Sequence, residues 1–487
     1  MNQKFFLTVY FVCLIFLLPA TTAHAVTEFI CTHNKTGEDY ATMQAWENAM
    51  TAVGNLTAAD VKVFSHGGIT GTVSDSASVT GQTSGATGTV IHATSTQILI
   101  DAIVGTFQSG EVVQVSAGNS VTISDAGDSP ILTLELYNDD GPITTNIQVN
   151  GLTTNTVNYW KITAPVGERH NGTAGTGVVI DPTSSVLPIY FQDDGVIEWI
   201  EITDWTATNN GQGAIHIDSS ITVDINNVII HDWTHATFTI HGIVVGNATA
   251  NVTVTNSLIY NGDGAGIRVS ATGGNLNVYN STVYNMPGVG ILQQGGTYIA
   301  KNVISMNNSP DFSGTFDASS DNNISSDGTA AGADLDSGTT DASGNTGATV
   351  VDAGQNFNTS VKPTLDAGEV AWFNNDTDGT SSKITSVDSD TQLTLAESGV
   401  TGNSKAFSIN KSAYYRAAAD QFVSLTGGSE DFHLIAGADA LNMGDDLSGT
   451  FTTDIDNTTR PIGGIWDVGI DESEFGASRL RRFIFIN

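Results

Sequence analysis

The chain has 487 residues, with 16 Lys and Arg against 51 Asp and Glu, giving a formal net charge of −35. Charged residues are only 14% while glycine reaches 52 and hydrophobics 40%, which disfavours both a large helical bundle and global disorder and points to an all-β chain with a sizeable core. The acidic balance argues against nucleic acid as a partner, because phosphate contact needs clustered Lys and Arg, and less strongly against acidic polysaccharides unless cations bridge the two.

In chain order, residues 1–25 read as an export signal. Lys4 is the basic start, Phe5 to Leu18 the apolar run, and Ala23-His24-Ala25 a small-x-small cleavage site. The run is short for a membrane span and no second candidate follows, so the expected mature chain starts near Val26 and is secreted or held at the cell surface. Cys13 goes with the signal and leaves Cys31 as a lone thiol, expected to be a small buried residue. Residues 26–65 are expected to form an N-terminal cap and first coil. Residues 66–126 lack the coil markers described next and read as a β-rich insert of alternating strands and Gly/Asp turns.

The middle of the chain, 127–344, repeats. Segments such as Ile225-Asn-Asn-Val-Ile-Ile and Val254-Thr-Asn-Ser-Leu-Ile share Asn at the third place: Asn227, Asn256, Asn280, Asn302 and Asn323, at steps of 29, 24, 22 and 21. Ile215, Ile243, Ile267 and Ile291 form a second series at steps of 28, 24 and 24. Two markers with one period mean one coil per repeat. Short β-branched runs with period-2 alternation, and no helical pattern between them, predict a parallel β-solenoid of three short strands per coil. Asn at a sharp turn adopts tight backbone geometry and stacks as a hydrogen-bonding ladder, so these residues read as structural. Residues 345–411 form a second β-rich insert, after a Gly/Ser/Asp-rich stretch over 327–347 that reads as a flexible loop. The inserts share a phrase, Gly85-Ala-Thr-Gly-Thr-Val90 with Ser95-Thr-Gln-Ile-Leu-Ile100 against Gly379-Thr-Ser-Ser-Lys-Ile384 with Asp390-Thr-Gln-Leu-Thr-Leu395. C-terminal coils and a tail are expected over 412–487.

These repeats resemble the right-handed parallel β-helix of the pectate-lyase-like superfamily. Asp39 to Met50 resembles the opening cap helix of such chains, with Tyr40, Met43, Trp46 and Met50 on one face. Trp160 to Gly172 resembles an early coil and loop. Asp431-Phe-His-Leu434, Asp454-Ile-Asp456, Arg460-Pro461 and Trp466 to Glu472 resemble the ending called choice-of-anchor Q, with Asn457 standing where Gly is usual and Gly437-Ala-Asp439-Ala replacing Gly-Ser-Pro-Ala. The expected fold is therefore an all-β right-handed parallel β-helix with an N-terminal cap helix and two small β-rich inserts. The same fold carries lyases, hydrolases, adhesins and spacers, so it leaves function open.

The resemblance implies that the first-strand sheet lines a substrate groove. Alternation predicts an outward ladder of Val179, Tyr190, His216, Val244, Arg268 and Leu292, and a second of Asp181, Gln192, Asp218, Gly246, Ser270 and Gln294. As a lyase the chain would use Arg268 as base with His216 beside it; as a hydrolase, Asp218 with Asp193 and Asp194 would be the carboxylates. Tyr190, Gln192 and Gln294 are candidate substrate contacts; Trp205 and Trp233, each following Asp and 28 residues apart, read as core or wall stacking first and as a candidate sugar platform second. Asp376 and Asp378 in Asn374-Asn-Asp-Thr-Asp-Gly379 form a candidate Ca²⁺ turn that lacks the twelve-residue loop and its closing Glu; Asp454-Ile-Asp456 is a similar turn. With carboxylates sparse on the groove, polysaccharide or cell-surface glycan binding is the expected function, ahead of a lyase or hydrolase and of a structural spacer.

Overall fold

The computed structural model describes residues 25–182 and 186–475. The export signal up to residue 24 and the end of the tail, 476–487, lie outside the described residues. Three parallel sheets wind round one core. Sheet one contains Ile147–Val149, Ile189–Phe191, Gly213–Ile217, His241–Val245, Ile267–Val269, Ile291–Gln293 and Phe312–Ser313. Sheet two starts with Val26–His33 and Ser129–Leu136 and continues through Trp160–Thr163, Gly195–Glu198, Thr222–Asn226, Asn251–Thr255, Asn275–Tyr279 and Tyr298–Lys301. Sheet three runs from Val178–Ile180 to Ile324–Ser325. Each strand pairs in parallel with its copy one coil away, for example Ile215 with Ile243 and Ile225 with Val254. The fold is a right-handed parallel β-helix.

Inside, Ile215, Ile217, Ile243, Val245, Ile267 and Val269 are fully buried, as their alternation requires. Asn227, Asn256, Asn280 and Asn302 occupy the turn between sheets two and three in left-handed conformation, φ 41–57°. The fifth member is Asn322, not Asn323: Asp321 pairs with Lys301, which places Asn322 (φ 53°) beside Asn302. Asn323 stands one place later, where its Oδ1 accepts from Val303 N at 2.9 Å. A second left-handed series, Asp204, Asp232, Asn261, Asn285 and Asn307, ends the strands of sheet three.

Helix Met43–Met50 closes the first coil. Thr42 caps it by accepting from Ala45 N at 3.0 Å, and Trp46 meets Trp160 edge-on at 5.0 Å. The first insert is a closed six-stranded antiparallel barrel, Lys62–Thr70 to Asn119–Ile123. It covers the free edge of Val26–His33: Gln97 Oε1 accepts from Ile30 N at 3.0 Å and its Nε2 donates to Glu28 O at 2.8 Å. The second insert is a six-stranded antiparallel sheet that begins at Asp336–Thr339. That strand lies where a solenoid and a loop were expected; it has no apolar alternation because it is an edge, held by its backbone to Ala406–Asn410. Moving it to the end of the insert reproduces the neighbour order of the barrel strand for strand, so the two inserts are circular permutants in topology. The shared phrase is the same hairpin in both, Thr87–Ala93 with Gln97–Val104 and Thr380–Ser389 with Gln392–Leu395.

Beyond Ala413, which makes one bridge to Ile324, the expected further coils do not form among the described residues. The chain makes a hairpin, Phe422–Thr426 with Ser429–Leu434, and then a strap along sheet three. Phe422, Phe432, Leu434, Met443, Ile455, Val468 and Ile470 pack against the outward Ile229, Leu258, Tyr260, Ile304 and Met306. Removing such side chains from water contributes about 1.5–3 kcal/mol each. The Asn ladder fixes the strap's path: Asn227 Nδ2 donates to Asp454 O (2.7 Å), Asn256 Nδ2 to Thr453 O (2.7 Å), Asn280 Nδ2 to Asp467 O (2.9 Å) and Asn302 Nδ2 to Asp445 O (2.9 Å).

Candidate functional site

Sheet three is covered, whereas sheet one turns a row of side chains outward. Paired registers give Gln148, Tyr190, His216, Val244, Arg268, Leu292 and Ser313 in that row. Val179 does not belong to it: it pairs with Glu201 in sheet three, and Asp181 follows it there. The coil carrying Val178–Ile180 starts with Ile147–Val149, so Gln148 takes the place expected of Val179.

Arg268 is the charged member of this row, one coil past Val244, which is itself buried. Its Nε and Nη2 donate to Gln294 Oε1 at 3.1 and 3.0 Å, and Nη1 lies 3.1 Å from His241 Nε2. His241 is buried, and burial with the neighbouring Arg268 charge pushes its pKa down to about 3, so the ring is neutral. Ala265 N also donates to His241 Nδ1, at 2.9 Å. A neutral imidazole has one acceptor nitrogen, so it cannot satisfy both donors; the buried Ala265 N–H takes it, and the half-exposed guanidinium is left short of an acceptor. His241 was absent from the sequence reading; its place at the start of a strand whose inward residues are Ile243 and Val245 gave no hint that it reaches Arg268.

His216 sits two coils from Arg268, with Tyr190 against it edge-on at 5.5 Å. Burial lowers the His216 pKa, and its Nδ1 has no hydrogen-bond partner. Asp218 is exposed beyond it. Gln192 Oε1 accepts from Gln148 Nε2 at 2.7 Å while its Nε2 donates to the Tyr190 hydroxyl at 3.1 Å, a polar cluster at the N-terminal end of the row.

Other candidates serve the wall. Asp193 is buried, its Oδ2 accepting from Leu152 N (2.9 Å) and Trp160 Nε1 (3.2 Å). Asp194 accepts from Thr154 Oγ1 and Thr222 N, both at 2.7 Å. These two carboxylates tie adjacent coils together at a turn and do not face a substrate with Asp218. Trp205 and Trp233 are 1% and 0% exposed: the preceding Asp204 and Asp232 take the left-handed turn and swing each indole into the core, so no platform exists. Asp376 and Asp378 form the turn between Trp372–Asn375 and Thr380–Ser389, where Lys405 Nζ meets Asp378 Oδ1 at 2.7 Å and holds that carboxyl below its usual range. Among the described residues no group of three or more His, Cys, Asp or Glu is placed to hold a metal ion. In the strap, Arg460 pairs with Glu472 at 3.1 Å and reaches Asp467 through its backbone carbonyl. Glu168-Arg169-His170 is a loop in which Arg169 stacks on Trp199 at 4.6 Å and His170 Nε2 lies 2.7 Å from Asn227 O.

A family model described as right handed beta helix region matches residues 188–357. That stretch is about a third of the chain; the paired coils extend N-terminal of it to Val26. No curated protein and no solved structure matches the chain.

Proposed function

We propose that the chain is an exported β-helix that binds extracellular or cell-surface polysaccharide along the outward face of sheet one. The observation that carries this reading is Arg268, whose guanidinium meets a neutral His241 already facing another donor and so has capacity for an acceptor from outside. A carboxylate or sulfate of a polysaccharide supplies that acceptor as a charge-assisted pair; the chain's net charge of −35 opposes such a ligand at long range, where salt screens it, while the Arg268 pair acts at contact. Tyr190 and Leu292 offer apolar surface to sugar rings at either side, and Gln192 and Gln294 offer amides. Binding is favoured over lyase or hydrolase chemistry because Arg268 is held as a donor rather than freed as a base, and because Asp193 and Asp194 are committed to the wall.

The test is a panel of acidic and neutral polysaccharides screened together for retention, for double-bond absorbance and for reducing ends, with and without chelator. The reading predicts retention of an acidic polysaccharide without product release, weakened about tenfold or more in Arg268→Ala. Release of unsaturated or reducing ends that is lost in Arg268→Ala or Asp218→Ala would replace binding with catalysis.

A further inference from the structure

The strap does more than cover sheet three. Where it passes the turn from sheet two, it leaves a cleft of about 410 Å³, within the range of small-ligand sites. Its floor is the outward face of sheet two, with Glu198, Asp224, Asn226 and Thr253 on three neighbouring coils. One wall is Arg169 on Trp199; the other is Phe451, which packs edge-on against Trp466 at 5.2 Å. Asn256 stands at the junction, 1% exposed. Its Nδ2 is used by Thr453 O, while its Oδ1, closed off from solvent just behind the cleft lining, accepts no hydrogen bond.

We propose that this cleft is a second glycan-binding site, separate from sheet one and selective for neutral sugars. Two floor carboxylates and an amide are acceptors suited to sugar hydroxyls, and Phe451 supplies the apolar surface that packs on a pyranose ring. Glu198 is already fixed, by Lys161 Nζ at 3.1 Å and Thr163 Oγ1 at 3.0 Å, so little ordering remains for a ligand to impose. Two floor carboxylates against one wall cation, Arg169, leave the lining net acidic, which disfavours uronates and separates this site from the Arg268 row. Burial raises the Asp224 carboxyl, consistent with a group sheltered from bulk water.

Isothermal titration of the full chain with cello-, malto-, xylo-, manno-, laminari- and chitohexaose tests the assignment. At least one hexaose binds at millimolar concentration or tighter. Asp224→Ala and Phe451→Ala each weaken that binding about tenfold, and Arg268→Ala on the other face does not. Asp224 points outward, so its variant keeps the fold; Thr253→Val gives a second floor variant should Phe451→Ala unsettle the strap. The proposal is overturned if none of the six binds, if the floor variants bind like the parent chain, or if Arg268→Ala abolishes the binding. Absence of hexaose binding, or floor variants that bind like the parent chain, leaves retention of acidic polysaccharide by sheet one untouched.

Discussion

A single asparagine per coil does two jobs. Asn280 adopts φ 41°, accepts from Asn302 Nδ2 at 3.0 Å and donates to Asp467 O and Gly469 O. Alanine there loses the buried hydrogen bonds and sits in a backbone region that costs an L-residue about 1–2 kcal/mol. We expect Asn280→Ala to destabilise by about 2–4 kcal/mol in denaturant titration, and Asn280→Gly by less, because glycine tolerates the turn. Equal losses would mean that backbone conformation contributes nothing. The recurrence of this residue made the ladder legible in the sequence. The fifth rung slipped because Asn322 and Asn323 are adjacent, and only the left-handed turn distinguishes them. Trp233 stood open between core stacking and a sugar platform for a related reason: residue spacing does not tell which way a side chain leaves a turn. Trp233→Ala should cost about 3–5 kcal/mol as a core cavity while leaving polysaccharide affinity unchanged, read by thermal unfolding alongside retention. Lost affinity in a folded Trp233→Ala protein would restore the platform.

At the scale of elements, the strap depends on pH. Asp467 is pushed up to about 7 by burial and the neighbouring Glu472, and His433 up to about 9 by Asp456 and Asp431. Burial and a shared proton with Asp456 also raise Asp454. In each case the folded state binds a proton more tightly than the unfolded chain, so stability is full below the unfolded pKa and falls as pH rises through the folded one. For Asp467 that window runs from about pH 4 to 7, and for His433 from about 6.5 to 9. Asp456, lowered by His433 and Asp454, acts in the opposite sense, but only in acid. Amide exchange over 431–472, corrected for its intrinsic rate, should therefore quicken between pH 6 and 9 while the coil strands from 213 to 306 hold. Equal protection at both values would count against the strap's dependence on these groups. The covered sheet left a trace in the sequence: Ile229-Ile-His231 and Leu258-Ile-Tyr260 do not alternate, because both faces of these strands are buried. What covers them lies 143 to 227 residues away along the chain, a distance that periodicity does not bridge.

For the whole molecule, two permuted copies of one β-module occupy the two ends of a rod whose edges would otherwise invite further strands. The period of the repeats specified the rod itself. The site was less legible, because Arg268 is set by His241, a residue in the preceding coil whose ring position follows from packing rather than spacing. One face of the rod is sealed by the strap and one remains available for a long ligand, which is the centre of the functional proposal. Hydroxyl-radical footprinting of the full chain, with and without the retained acidic polysaccharide, tests it most directly. The account predicts protection of Tyr190, His216 and Leu292, with Val166 and Val423, which are 80% and 53% exposed elsewhere on the surface, labelled equally in both states. Unchanged labelling at Tyr190, His216 and Leu292 under saturating polysaccharide would contradict it.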